Sequence, residues 1–226
     1  MLIVLFDIDG TLIGSGGAGK LALERALVDV FGSLKPIEGV PYSGRTDRAI
    51  VTDLFAHFEV EDNETNHLRI RAAYLDHLPA ALKEQQGQIL PGIPVLLERL
   101  AVRESTGIGL LTGNVREGAR LKLSHFGLDH HFAFGGYGDH HTSRNDVARI
   151  ALDEAIRHLE LGDAEIEVCV VGDTPDDVSC ARSIGARVVA VASGIHDAEE
   201  LAASGPDILL TDLSDATSLW EMWGES

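Results

Sequence analysis

Two carboxylates separated by one residue stand at the end of the first apolar run of the chain. The segment is Asp7-Ile8-Asp9-Gly10-Thr11-Leu12, directly after Leu2–Phe6. Acids so placed point out of a strand's end, and Gly10 allows a sharp turn. In an open parallel sheet, ligands bind beyond the carboxyl ends of the strands, so Asp7 and Asp9 are candidate catalytic residues. An acidic loop that merely closes a strand is the plainer alternative. A calcium loop is another, but Ile13, Gly14 and Gly17 do not supply the further oxygen ligands it needs.

Three more groups follow at the ends of later runs. Thr112-Gly113-Asn114 offers a hydroxyl and an amide at a helix start, which suits an anion; Asn114 also reads as a simple N-cap. In Gly172-Asp173-Thr174-Pro175-Asp176-Asp177 the strand ends at Gly172 and Asp173 falls in the turn. Pro175 suits a first helical position, and acids in the first turn favour the helix dipole. Arg144 precedes a helix and matters only if it faces the carboxylates.

The elements that must position these residues follow from apolar periodicity. Leu2–Phe6, Gly107–Leu111, Glu167–Val171, Arg187–Val191 and Ile208–Leu210 are short and apolar on both faces, as buried parallel strands are. Amphipathic stretches over Pro94–Arg103, Val115–Phe126 and Asn145–Leu161 alternate with them. This pattern predicts an α/β fold, a Rossmann-like doubly wound parallel sheet with helices on both faces. The interval from Gly14 to about Leu90 breaks the alternation, with three helical patterns and no strand. The expected organisation is a core of residues 1–14 and 90–226 with a helical insert, 15–89, hinged at the glycines of Gly14–Gly19.

The chain has 226 residues, with 18 Lys and Arg against 36 Asp and Glu, a net charge of −18. That field repels phosphate backbones, so neither nucleic acid nor an anionic membrane is an expected partner. No apolar run approaches the roughly 20 residues of a membrane span. Cys169 and Cys180 form no CxxC pair, which suits a reducing compartment. The start, MLIVLFDIDG, lacks a basic region and reads as a core strand, so a cytoplasmic location is expected.

Several patterns are decoys. Gly14–Leu21 nearly matches a GxxxxGK[ST] phosphate loop but fails at Leu21, where the magnesium hydroxyl belongs. The pairs His130-His131 and His140-His141 lack zinc-ligand spacing. Leu219, Trp220, Met222 and Trp223 read as core packing.

Together, Asp7-Ile8-Asp9-Gly10-Thr11, Thr112, Arg144 and Gly172–Asp177 resemble the four motifs of the haloacid dehalogenase-like hydrolase superfamily. Within it the chain is most similar to the phosphoglycolate phosphatase-like phosphatases with an α-helical cap. The third motif is most often a lysine there. None lies beyond Lys122, and Arg144 is taken in its place.

The resemblance implies a Mg²⁺-dependent phosphatase acting on a small phosphomonoester. It makes Asp7 the nucleophile and Asp9 the acid and base. Mg²⁺ would be held by Asp7, the Asp9 carbonyl and Asp173. Thr112, Gly113 and Asn114 would bind phosphoryl oxygens, Arg144 would offset their charge, and Asp177 would orient Arg144 or a magnesium-bound water. In the insert, the resemblance places Arg45 of Ser43–Asp47 toward substrate, with Lys20 a weaker candidate. The same residues fit a phosphosugar mutase. A phosphorylated signalling receiver is a remoter alternative, being shorter and without a cap. A monomer or weak homodimer is expected.

Overall fold

The first strand, β1 (Leu2–Phe6), is buried along its length because it lies between two others in the sheet. In this computed structural model, which describes residues 1–32, 37, 39–162 and 164–224, six parallel strands form that sheet. They are β1, β4 (Thr106–Leu111), β5 (Phe134–Gly136), β6 (Glu167–Gly172), β7 (Arg187–Val191) and β8 (Ile208–Leu210), in the order β5-β4-β1-β6-β7-β8. The chain runs outward from β1 through β4 to β5, then crosses to β6. The carboxyl ends of β1, β4 and β6 therefore meet at a switch point, where an open α/β sheet offers its crevice.

Alternation along β1 builds the core on both faces. Leu2, Val4 and Phe6 pack with α4 (Ile93–Ala101), α5 (Arg116–His125) and α9 (Thr217–Met222). Trp220 and Trp223 belong to that cluster. Ile3 and Leu5 pack with α6 (Arg144–His158), α7 (Pro175–Ser183) and α8 (Ala198–Ala203). This is the doubly wound α/β fold expected: the strands at 2–6, 187–191 and 208–210 fall where anticipated, and the other two strands and the three helices differ by one to three residues at their ends.

β5 is an addition. Its three residues, two of them glycine, carry too little apolar signal to be read as a strand, yet they pair with Gly109, Leu110 and Leu111.

Between β1 and α4 the chain leaves the sheet as α1 (Ala18–Phe31), α2 (Asp47–Phe58) and α3 (Glu64–Glu84). Thr46 caps α2 by accepting from the Ala49 amide, and Asn63 caps α3 by accepting from the Asn66 amide. Their apolar faces form a third cluster, including Leu27, Leu54, Phe55, Ile70 and Leu78. The apolar pattern predicts no strand in this interval, yet two short strands pair antiparallel where it begins and ends: β2 (Ile13–Gly14) with β3 (Gln88–Ile89). That pair joins the helices to the sheet.

The helices also touch the sheet's carboxyl edge. The Asp47 amide donates to the Gly113 carbonyl and the Val115 amide donates to Asp47 Oδ2, both at 2.7 Å. Among the described residues no helix is long and apolar enough to cross a membrane.

Candidate active site

The turn after β1 is built so that Asp7 and Asp9 diverge. The Asp7 amide donates to Val171 O of β6, which prolongs the ladder and leaves its side chain at the crevice. Gly10 then takes φ +87°, and a Cβ there would collide with the Asp173 carboxylate. Only glycine lets the two turns approach so closely. Thr11 Oγ1 donates to Asp173 Oδ1 at 3.0 Å and locks them together.

Asp7, Asp173 and Asp177 place carboxylate oxygens within 4.8 Å of one another, all three buried. Asp7 Oδ1 has no hydrogen-bond partner, and the Arg144 guanidinium lies 3.6 Å from it. Arg144 also donates to Asp177 Oδ1. Asp177 is fixed from its own side by a reciprocal cap: its Oδ2 accepts from the Thr174 amide and hydroxyl, and its amide donates to Thr174 Oγ1.

Burial and crowding raise the pKa values of Asp7 and Asp173. Burial pushes Asp7 up to about 6, against the pull of Arg144. Burial, with Asp177 and Asp7 nearby, pushes Asp173 up to about 9. One arginine does not balance three carboxylates in so small a volume.

Asp9 faces the other way. Its Oδ2 accepts from Lys122 Nζ at 2.5 Å and Asn114 Nδ2 at 2.9 Å, and its Oδ1 accepts from Ser15 Oγ at 3.0 Å. Burial opposes ionisation, but Lys122, Asn114 and Ser15 outweigh it and hold the carboxyl below its ordinary pKa. Lys122 Nζ also donates to Asn114 Oδ1 at 2.6 Å. Asn114 Nδ2 reaches Thr112 Oγ1 at 2.9 Å, so Thr112, Asn114, Lys122 and Asp9 form one network.

Gly113 lies under the helices, and a Cβ there would strike the Arg45 carbonyl. The backbone of the 112–114 turn is thereby brought against the helical unit. Thr112, Gly113, Asn114, Asp7, Asp9, Arg144, Asp173 and Asp177 thus all gather at the ends of β1, β4 and β6. Arg45 lines the cavity above them, but its guanidinium is paired with Asp53. Lys20 lines the cavity too, 3.9 Å from Glu24.

Lys122 was not among the residues picked from the sequence. A signal was present: with Val115, Ala119 and Phe126 it falls on one helical face, spaced by four, three and four residues. A buried lysine on such a stripe requires an acidic partner, here Asp9.

The donors of the acidic cluster are hard oxygens, which suit Mg²⁺. The unpartnered Asp7 Oδ1 and the closeness of the three buried carboxylates both fit a cation held among these oxygens. Mg²⁺ is therefore expected to stabilise the fold. At a hundredfold excess over Kd the gain is about 2.7 kcal/mol, roughly 5–10 °C in Tm for a chain of this size. Calorimetric melts with Mg²⁺ and with chelator check this. Asp173→Asn should erase the shift, and a wild type that does not respond would refute the site.

Comparison with known proteins accords with this geometry. The family model described as haloacid dehalogenase-like hydrolase matches residues 4–191. The chain is 31% identical over 218 residues to a phosphoglycolate phosphatase of Synechococcus elongatus, covering 95% of each. It is 25% identical to the phosphoglycolate phosphatase of Yersinia pestis, over 94% of this chain and 90% of that one. A hydrolase structure from Pseudomonas syringae superposes with a TM-score of 0.73 at 22% identity, covering the whole of both chains. With the matched region running from within β1 to the end of β7, the chain belongs to the haloacid dehalogenase-like hydrolase family.

Proposed function

We propose that this chain is a Mg²⁺-dependent phosphatase that hydrolyses a small phosphomonoester through an aspartyl-phosphate on Asp7. One observation carries the reading. A buried aspartate with an unpartnered oxygen stands between an arginine and two further acids, and a second aspartate two residues on is held by a different cation. Nucleophile and proton carrier are thereby kept apart in electrostatic terms.

Asp7, Asp173 and the Asp9 carbonyl would hold the ion, with Asp177 the third carboxylate beside it. When bound, Mg²⁺ supplies the charge that lets a carboxylate approach a phosphoryl dianion. Asp7 attacks phosphorus as the bond to the leaving oxygen breaks. Arg144, Lys122 and the Gly113 and Asn114 amides stabilise the equatorial oxygens.

Asp9 rests as a carboxylate because Lys122 is its partner. Phosphoryl oxygens arriving beside Lys122 share that charge, so Asp9 takes up from solvent the proton it then delivers to the departing alcohol. It then accepts a proton from the water that attacks the aspartyl-phosphate. Inorganic phosphate leaves and the Asp7 carboxylate is restored. Helices α1–α3 act as the cap that closes over the reaction and selects the alcohol.

The test is p-nitrophenyl phosphate with Mg²⁺ or chelator, measuring nitrophenol and inorganic phosphate together. Equal, Mg²⁺-dependent amounts are expected. Nitrophenol without matching phosphate, with the phosphoryl group passed to an added sugar phosphate, would replace hydrolysis by a mutase.

A further inference from the structure

We propose that the alcohol released here is uncharged and carries an apolar body larger than a two-carbon acid, seated against the apolar walls of α1, α2 and α3. The inference rests on the phosphatase reading above and narrows its substrate class.

The first argument is volume. The cavity that begins at Asp7 and Asp9 encloses about 520 Å³ and continues between the helices. A phosphorylated two-carbon acid fills only its catalytic end.

The second is the lining. The apolar part of the lining is Leu23 of α1, Ile50 and Val51 of α2, and Ile70, Tyr74 and the half-exposed Leu68 of α3. Apolar walls hold an apolar body, and each methylene removed from water adds about 0.8 kcal/mol, or roughly fourfold in affinity.

The third is charge. A substrate carboxylate needs a cation to receive it, and the lining cations of the helical unit already face acids. Arg45 pairs with Asp53, Arg48 with Glu64 at 2.9 Å, and Arg71 with Asp139 at 3.4 Å. Lys20, more than half exposed, lies 3.9 Å from Glu24. His67 Nε2 is 2.7 Å from Asp62 Oδ1. Asp47 adds a further carboxyl group to the lining. A second anion would have to break one of these pairs, whereas an uncharged chain leaves all of them in place.

The test is calorimetric binding of non-hydrolysable phosphonates to the Mg²⁺-loaded protein. The probes are ethylphosphonate, n-hexylphosphonate and 3-phosphonopropionate, the last matching phosphoglycolate in shape and charge. Affinity is expected to rise from ethyl to hexyl, with hexyl at least tenfold tighter than phosphonopropionate. Val51→Asp, which puts a charge on that wall, should remove the hexyl advantage. Leu68→Glu, at a position already 45% exposed and so tolerant of charge, should reduce that advantage without risk to folding.

Phosphonopropionate binding as tightly as hexylphosphonate, equal affinities along the alkyl pair, or no phosphonate binding would overturn the proposal. Phosphate release from p-nitrophenyl phosphate is scored separately. An inverted ranking with release intact sinks the substrate class alone, while absent release sinks the phosphatase reading.

Discussion

Asp7→Asn is expected to reduce phosphate release by roughly 10⁴-fold or more, while the protein melts at or above the wild-type temperature without metal. The loss follows because an amide oxygen cannot displace an alcohol from phosphorus and leave a hydrolysable acyl phosphate. The second half follows from the electrostatics. Asp7 is buried beside Asp173 and Asp177, and its pKa is raised to about 6. A raised carboxyl pKa means that the native state disfavours the ionised form more than the unfolded chain does. The group thus costs stability as pH rises through its ordinary value toward 6, and the full cost is present at neutral pH. Asparagine has the same shape and no charge, and Arg144 keeps its bond to Asp177. Loss of activity with unchanged or improved stability is the pattern of a site whose charges are arranged for reaction. Phosphate-release assays beside thermal melts in chelator check both halves. Activity surviving in purified Asp7→Asn would remove the nucleophile and the mechanism together.

The sheet was legible because its strands are buried on both faces. Val168–Val171 and Val188–Val191 are near-continuous apolar runs, and such runs need no partner to be recognised. β5 was not, because Phe134-Gly135-Gly136 is defined by what packs on it: Phe134 lies over Gly109, where any side chain of β4 would collide. Pairing of that kind is tertiary information.

The same division holds for the site. Asp7, Asp9, Thr112 and Asp173 follow strand ends, so topology alone predicts their convergence. Lys122 sits eight residues into the chain after Asn114, on a helix, and reaches the site through space. A search for one cation per motif stops at Arg144. The structure has two, one facing Asp7 and Asp177 and the other Asp9. Arg45 shows the reverse case: its position beside the cavity follows from its place before α2, but its pairing with Asp53, two turns along the same helix, does not.

Lys122→Met separates those two cations and should lower kcat/KM by about 10²–10³-fold. Methionine keeps the apolar stem of the side chain and removes its charge, so packing around Ala119 and Leu123 survives. Asp9 then keeps Asn114 and Ser15 as partners but loses its cation. The Asp9 side chain is 36% exposed, so the cost is discounted from the 3–5 kcal/mol of a fully buried pair to about 1–3 kcal/mol.

The pH dependence gives the sharper test. Burial raises the Asp9 pKa and Lys122 leads the groups that lower it. Without Lys122 burial prevails, and the acid limb of kcat/KM moves to higher pH. Stability moves in the corresponding direction. A carboxyl held below its ordinary value of 3.8 contributes above that pH and ceases to contribute as pH falls through its depressed value. The Tm gap between wild type and variant should therefore be full at neutral pH and close in strong acid. Lys122→Arg restores a charge of different shape, so it should recover the acid limb more completely than kcat. A Lys122→Met enzyme with the wild-type limb would show that Asp9 is set by burial, Asn114 and Ser15 without Lys122, and would leave Arg144 as the side-chain cation acting on the transferred group.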